Sequence, residues 1–194
     1  LMQAIVRAAK ELRTTGLALC IADIAAGYGR YVLDAVDQLP ERPTSIVLRD
    51  YSELNVAHGR ALIAERQLGD VACFETGDAF DEEALAALTP KPTLAIVSGL
   101  YELFSDNELV ARSLRALARA VDTGGYLIYT GQPWHPQIEM IARTLTSHRQ
   151  QQAWVMRRRT QAELDELVGV AGFVKIDEWI DDWGMFTVSL AHRA

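Results

Sequence analysis

The sequence predicts a single α/β domain built around a mostly parallel sheet. Short apolar runs alternate five times with stretches whose apolar residues recur at helical spacing, a pattern typical of parallel strands joined by crossover helices. Two further apolar runs, 173–180 and 185–192, flank Asp181–Gly184 and predict a closing β-hairpin. We therefore expect a three-layer sandwich: a seven-stranded sheet, antiparallel at its C-terminal strand, with helices on both faces.

The helices are predicted from apolar spacing and from their start and stop signals. Gly16 ends the first helix, Ser52 supplies an N-cap for the third, and Pro40 ends the second. Ser105–Glu108 and Thr160–Glu163 both fit the capping-box pattern. The predicted helices cover 1–14, 29–39, 52–67, 81–88, 105–121, 136–148 and 160–170.

The strands are predicted from short apolar runs bounded by turn residues. Such runs are typical of strands that are buried on both faces of a sheet. The predicted strands cover 17–24, 45–50, 71–75, 93–98, 126–131, 173–180 and 185–192. We find no linker, internal repeat or low-complexity stretch, so residues 1–194 are expected to form one domain.

Charge and hydropathy exclude several function classes. The formal net charge is −7 at pH 7, whereas a nucleic-acid-binding domain usually presents a basic face. No apolar run reaches the roughly 18 residues that a membrane span needs, and the chain opens without a signal-peptide pattern. We expect a cytoplasmic protein with neither a transmembrane segment nor a nucleic-acid partner. Because the chain starts at Leu1, we also expect a fragment of a longer chain.

The two cysteines are not spaced as metal ligands. Cys20 and Cys73 lie inside the apolar runs LALCIADI and VACFE. We expect both to be reduced, buried and small apolar core residues, and we predict no metal site.

Residues 23–29, D-I-A-A-G-Y-G, connect the first predicted strand to the second predicted helix. Gly27 and Gly29 allow a ligand to approach the backbone closely. A dinucleotide fingerprint needs a third glycine, but Val32 follows here, and the Gly-Lys-Ser/Thr of a phosphate-binding P-loop is absent. A glycine turn alone is also compatible with a tight connection that binds nothing.

Acidic residues follow three successive predicted strands. Asp23, Asp50 and Asp78 lie where ligands bind in open α/β sheets, at the carboxyl ends of the strands. A carboxylate after the second strand can accept hydrogen bonds from ribose hydroxyls, and one after the third can accept from the amine of adenine beside Phe80. Each acid by itself could equally be a helix cap or a solvated loop residue.

These segments resemble the motifs of class I S-adenosylmethionine-dependent methyltransferases. D-I-A-A-G-Y-G resembles the family's first motif, and Asp50 matches the acidic residue that follows the second strand. G-D-A-F (77–80) matches the acidic motif after the third strand, and the loop 98–102 lies at the position of the fourth motif. The departure is Ala25–Ala26, where many members have glycine or cysteine. The resemblance implies a Rossmann-like fold and S-adenosylmethionine as cofactor, with S-adenosylhomocysteine as product and no metal.

The resemblance also implies roles for individual residues. The backbone at Ala25, Gly27 and Gly29 would line the methionine part of the cofactor. Asp50 would hold the ribose and Tyr51 would flank the adenine. Asp78 and Phe80 would hold the adenine, and Ser98 and Leu100 would form the floor beside the methyl group. The cofactor-binding residues so implied are Asp23, Ala25, Gly27, Gly29, Asp50, Tyr51, Asp78, Ala79, Phe80, Ser98 and Leu100.

A narrower resemblance rests on G-Q-P-W-H-P-Q (131–137), W-V-M-R-R-R-T (154–160) and D-D-W-G-M-F-T-V-S (181–189). These segments resemble a bacterial group of methyltransferase domains that are often fused C-terminal to an α/β-hydrolase. The resemblance implies a covalently linked hydrolase domain on the N-terminal side, and it implies nothing about the methyl acceptor.

Catalytic candidates follow the fourth and fifth strands, where the acceptor must enter. His135 is a candidate base, because an imidazole titrates near neutral pH, and Tyr101 and Glu102 are candidate acceptor-binding groups. A satisfied loop histidine and a solvent-facing acid are the plain alternatives. The run 157–159 is either a solvated edge or a grip for an acidic substrate.

The sequence therefore predicts transfer of a methyl group to a small-molecule or lipid-like acceptor. A noncatalytic S-adenosylmethionine-binding or regulatory domain is one alternative. A nicotinamide-dependent oxidoreductase is another, although the missing third glycine and the acid at Asp78 count against it.

Overall fold

A computed structural model describes residues 1–146 and 153–194. The strands are β1 (Cys20–Ile24), β2 (Ser45–Asp50), β3 (Ala72–Thr76), β4 (Leu94–Val97), β5 (Tyr126–Gly131), β6 (Phe173–Ile180) and β7 (Thr187–Arg193). The helices are α1 (Met2–Thr15), α2 (Arg30–Ala35), α3 (Glu53–Glu65), α4 (Glu82–Ala86), α5 (Asn107–Ala120), α6 (Ile138–Thr144) and α7 (Gln161–Val170).

All seven strands form one sheet in the order β3-β2-β1-β4-β5-β7-β6. β1 to β5 pair in parallel, and β7 pairs antiparallel with both β5 and β6. The predicted fold class is confirmed, including the antiparallel C-terminal strand. The chain moves outward from β1 to β3 and then returns to β4, so the strand order reverses between β1 and β4. At such a reversal the connections leave the sheet in opposite directions and open a crevice at the carboxyl ends of the strands, which we call the carboxyl edge.

The sheet separates two hydrophobic cores. Buried residues of α1, α2 and α3 pack on one face, and those of α4, α5 and α7 pack on the other. α6 differs from all of these, because none of its residues is buried. No helix in the described part of the chain is both long and apolar enough to cross a membrane.

The helix ends show which capping residues are predicted correctly and which lie one residue away from the prediction. Thr160 caps α7 by accepting from the Glu163 amide at 3.1 Å, and Ser52 caps α3. The Ser105 capping box was displaced by one residue, because Asp106 accepts from the Glu108 amide at 2.9 Å and is the N-cap of α5. A carboxylate one residue later competes for the same free amides.

Two further expectations were wrong in detail. Cys20, the first residue of β1, is half-buried. Cys73 is exposed because β3 lies at the sheet's edge and its side chains alternate between core and solvent. The second predicted helix is regular only to Ala35 and continues as a 3₁₀ turn, Val36–Gln38. In the predicted helix 136–148, α6 covers 138–144, and residues 147 and 148 lie outside the described residues.

Candidate functional site

A cleft of about 380 Å³ opens at the carboxyl edge, where the strand order reverses. This volume lies within the range of small-molecule sites, about 300–1,000 Å³. The cleft is lined by the turns after β1 to β4 and by the start of α3: Ala25, Asp50, Tyr51, Ser52, Asn55, Gly77, Asp78, Ala79, Phe80, Gly99, Leu100, Leu103 and Phe104.

The turn after β1 has a left-handed backbone at three positions. Ala25, Gly27 and Gly29 have φ of 60°, 59° and 67°. A Cβ on Gly29 would lie 2.3 Å from Leu48 Cδ1, whereas a Cβ on Gly27 would meet nothing within 4 Å. Ala25 therefore bears the cost that glycine avoids at this position, and Gly29 permits close packing against β2. Ala25 lines the cleft, whereas Gly27 and Gly29 are not among the lining residues.

Asp50 joins the first turn to α3. Its Oδ2 accepts from the Gly27 amide at 2.8 Å, and its Oδ1 accepts from the Ser52 amide at 2.8 Å and from Asn55 Nδ2 at 3.0 Å. A carboxylate has about four acceptor positions, so three of them are used within the protein. Asp50 faces the cleft with capacity for about one more hydrogen bond.

Asp78 shapes the turn after β3. Its Oδ1 accepts from the Phe80 amide at 2.9 Å, which fixes the local backbone and leaves acceptor positions toward the cleft. The Phe80 ring packs edge-to-face on Phe104, with centroids 4.6 Å apart. A Cβ on Gly77 would lie 2.5 Å from the Arg49 guanidinium, so a larger residue here would displace that guanidinium.

Asp23 is fully buried below the first turn and is not a cleft-lining residue. Its Oδ1 accepts from the Tyr31 hydroxyl at 2.7 Å, and its Oδ2 has no partner within the described residues. Burial raises the pKa of Asp23 to about 8; the Tyr31 hydroxyl opposes this shift, and the nearby Asp50 charge adds to it. The carboxyl is therefore mostly protonated at neutral pH.

The turn after β4 closes the other side of the cleft. Leu100 lines the cleft, and the Gly99 amide donates to Thr130 Oγ1 at 2.8 Å, which ties this turn to β5. Ser98 is half-buried beneath Gly99, outside the set of cleft-lining residues. The apolar side chains of this turn form a wall opposite the two acids.

The three catalytic candidates lie away from the lining of the cleft. The Tyr101 hydroxyl is buried and lies 3.0 Å from Ser113 Oγ. His135 is half-buried on the loop after β5, where its Nδ1 accepts from the Gln137 amide at 3.1 Å. The Nδ1 lone pair is engaged in this way, so Nε2 is the ring nitrogen left to contact another group.

Glu102 is buried behind the turn rather than facing solvent. Its Oε2 has no partner within the described residues, and burial raises its pKa while the Arg159 charge opposes that shift. Gln132 Oε1, also buried and unpartnered in the described part of the chain, lines the same small cavity as Glu102.

Arg159 holds the turn after β4 in place. Its buried guanidinium donates to the Tyr101 carbonyl at 2.7 Å, to the Phe104 carbonyl at 2.9 Å and to Asn107 Oδ1 at 2.7 Å. One member of the basic run 157–159 is therefore a structural residue of the cleft wall, whereas Arg158 is exposed.

Sequence reasoning missed six cleft-lining residues: Ser52, Asn55, Gly77, Gly99, Leu103 and Phe104. Ser52 and Asn55 could have been found, because the first turn of a helix that directly follows Asp50 must face the same strand end. Leu103 and Phe104 carry no such signal, since an apolar loop residue looks the same in sequence whether it packs in a core or lines a cleft.

Comparison with known proteins connects this geometry to methyltransferases. The model of a family described as "Putative methyltransferase" matches residues 1–193. YnbC of Escherichia coli (strain K12) is 59% identical over 187 residues, which cover 96% of this chain and 32% of YnbC. The chain thus spans about a third of the length of the curated relative that it matches.

Solved structures share the fold at low sequence identity. The magnesium protoporphyrin IX methyltransferase from Synechocystis PCC 6803, with bound SAH, is 18% identical, with a TM-score of 0.70, over 100% of this chain and 83% of that one. The mitomycin 7-O-methyltransferase MmcR is 16% identical, with a TM-score of 0.71, over 100% and 54%. The O-methyltransferase NcsB1, in complex with S-adenosyl-L-homocysteine and 1,4-dihydroxy-2-naphthoic acid, is 18% identical, with a TM-score of 0.67, over 90% and 49%. At these identities, the likeness establishes the fold.

Proposed function

The chain belongs to this methyltransferase family, and on that premise we propose that it transfers the methyl group of S-adenosylmethionine to a small-molecule or lipid-like acceptor. The observation that carries the proposal is the convergence of three strand ends on one cleft. Ala25 after β1, Asp50 at the end of β2 and Asp78 after β3 all line it. Such a cleft has acceptors on one wall and apolar side chains on the other.

The donor and acceptor chemistry of the cleft fits the cofactor. Asp50 has about one acceptor position left for a ribose hydroxyl. Asp78 keeps acceptor positions for the amine of adenine, and Phe80 and Tyr51 supply aromatic surface beside it. The open space around Gly27 and the small Ala25 leave room for the methionine part.

Bound S-adenosylmethionine would supply a methyl group that the sulfonium charge has already activated. The task of this chain is then to hold the acceptor in line with that group and to exclude water. Leu100, Leu103 and Phe104 form the apolar wall that would exclude water. We propose His135, Tyr101 and Glu102 as acceptor-side residues, although none of them lines the cleft, and His135 would act through its Nε2.

Titration calorimetry of the chain with S-adenosylmethionine, S-adenosylhomocysteine and NADH tests the proposal. We expect micromolar binding of both adenosyl compounds and none of NADH. NADH binding alone would favour the oxidoreductase alternative. Binding of the adenosyl compounds without methyl transfer to any acceptor pool would favour a noncatalytic domain.

The whole protein is also a matter of proposal, because YnbC is about three times as long as the matched region. A covalently linked hydrolase domain and a cytoplasmic location remain predictions of the sequence. Mass spectrometry and fractionation of the full-length protein from its own cells would test both.

A further inference from the structure

A positively charged side chain is buried beneath the turn that carries Asp78. Arg49, on β2, is only 7% exposed. Its Nη1 donates to the Ala84 carbonyl in α4 at 3.3 Å, and its Nε is buried without a partner among the described residues. No carboxylate in the described part of the chain forms an ion pair with it. Because an apolar side chain of similar size would be buried at lower cost, stability does not account for an arginine here.

The Arg49 guanidinium packs directly against Gly77, the residue before Asp78. A Cβ built on Gly77 would lie 2.5 Å from both Nε and Nη2 of Arg49 and 2.7 Å from its Cζ. The guanidinium therefore occupies the space that a side chain at position 77 would fill. Gly77 and Asp78 line the cleft and Arg49 does not, so Arg49 supports this turn from behind.

The direction of the Asp78 carboxylate depends on the backbone of this turn. Asp78 is itself exposed, and its Oδ1 accepts from the Phe80 amide at 2.9 Å within the same turn. The Phe80 carbonyl accepts from Nη2 of Arg112 at 3.2 Å, and Arg112 is exposed on α5. A solvent-exposed arginine thus holds the far end of the turn, whereas the buried Arg49 packs beneath its beginning.

We propose that Arg49 is a positioning residue for recognition of the adenine amine. The inference rests on the proposed function, in which Asp78 accepts a hydrogen bond from that amine. The Arg49 guanidinium prevents the beginning of the turn from moving toward the sheet, so the remaining acceptor positions of Asp78 stay directed into the cleft. An acceptor held in one direction discriminates between bases, because a base that presents an oxygen there leaves the carboxylate unpaired.

Base preference measures this role. Calorimetry compares S-adenosylhomocysteine with S-inosylhomocysteine, in which an oxygen replaces the adenine amine. The unsubstituted protein should prefer the adenosyl compound at least about tenfold, the effect of losing a hydrogen bond to a charged acceptor. Arg49→Met should reduce this preference to about threefold or less, because a relaxed turn no longer directs Asp78 at the amine. Asp78→Asn can donate to the inosyl oxygen and should abolish the preference.

A second variant and a matched control separate positioning from general support of the fold. Gly77→Ala places a Cβ where the Arg49 guanidinium lies, so it should reduce the preference in the same direction. Arg60→Met also removes an arginine that holds the backbone nearby, since Arg60 Nε donates to the Phe74 carbonyl in β3 at 2.9 Å. This control should leave the preference unchanged. An equal drop in Arg60→Met would overturn the inference.

Amide hydrogen exchange, followed by nuclear magnetic resonance, needs no ligand. The Phe80 amide reports on its bond to Asp78, so Arg49→Met should speed its exchange about tenfold relative to Arg60→Met. Amides of β5 should keep their rates. Unchanged Phe80 exchange in Arg49→Met would show that the turn keeps its shape without Arg49, and would overturn the inference.

The calorimetry also separates this inference from the proposed function. Absent binding of S-adenosylhomocysteine to the unsubstituted protein would overturn the proposed function and the adenine assignment with it. Binding of S-adenosylhomocysteine with the full base preference retained in both Arg49→Met and Gly77→Ala would overturn the role of Arg49 alone.

Discussion

The two halves of the carboxyl edge differ in how their polar groups are satisfied. After β1, β2 and β3, the carboxylates of Asp50 and Asp78 accept hydrogen bonds from backbone amides of their own or adjacent turns. After β4 and β5, the buried oxygens Glu102 Oε2 and Gln132 Oε1 have no partner in the described part of the chain. The carboxylates that line the cleft in the first half are therefore held by the protein itself, although Asp23 Oδ2 and Arg49 Nε, which do not line the cleft, are also buried there without a partner in the described residues.

This difference separates a preorganised half from an adaptable half. A site that binds one constant ligand gains affinity when its groups are already held in place, because less ordering is needed on binding. The second half, after β4 and β5, relies on Arg159 to hold its wall in place. Substitutions at Asp50, Arg159 and Asp23 test this difference between the two halves.

Replacement of Asp50 should have the largest effect. Asp50→Ala removes three charge-assisted hydrogen bonds and should lower the free energy of unfolding by about 4 kcal/mol. It should also weaken S-adenosylhomocysteine binding by at least about 100-fold, a loss of about 2.7 kcal/mol. Thermal unfolding and calorimetry measure the two effects separately.

Two variants control for the Asp50 result. Asp70→Ala breaks only an exposed ion pair with Arg42 and should cost less than about 1 kcal/mol. Asp50→Asn keeps an oxygen for Ser52 and Asn55 but turns an NH₂ group toward the Gly27 amide, so we expect an intermediate loss. Unchanged cofactor affinity in both Asp50 variants would remove Asp50 from its proposed role.

Replacement of Arg159 should be somewhat milder and should act on the other half. Arg159→Met leaves two buried carbonyls and Asn107 without their donor and should cost about 3 kcal/mol in urea unfolding. The neighbouring Arg158→Met, at an exposed site, should cost less than about 0.5 kcal/mol. Equal effects of the two substitutions would mean that Arg159 does not brace the cleft wall.

Asp23 should affect how the free energy of unfolding depends on pH, with a small change for each pH unit. Its pKa is about 8 in the folded protein against an ordinary 3.8, so between these values the folded state holds a proton that the unfolded state has released. The free energy of unfolding should therefore fall as pH rises, by up to about 1.4 kcal/mol per pH unit, and level off above pH 8. Asp23→Asn should flatten this slope in urea unfolding measured from about pH 5 to about pH 8. An identical slope in the variant would place the titration elsewhere.

The bounds of helices and strands are predicted correctly where a single local sequence signal marks them. Predicted strands 45–50, 126–131 and 173–180 coincide with β2, β5 and β6, because each is an apolar run closed by turn residues. The capping box at Thr160 was placed correctly, but at Ser105 two neighbouring side chains could cap the same helix. Which of the two side chains caps the helix depends on the backbone path of the preceding turn.

The family, a mostly parallel seven-stranded sheet with an antiparallel C-terminal strand, and the strand-end acids Asp50 and Asp78 of the cleft could be predicted from sequence, because motif spacing and periodicity are properties of the chain alone. The folded structure was needed to show that Asp50 is largely committed to its own turns, that Asp23 is buried and mostly protonated, and that Tyr101 and Glu102 do not line the cleft. It also decided that Arg159 is a brace while Arg158 is exposed. The physical reason is the same in each case: the role of a polar side chain is set by the donors and acceptors that reach it in space, and neighbours in sequence do not reveal these.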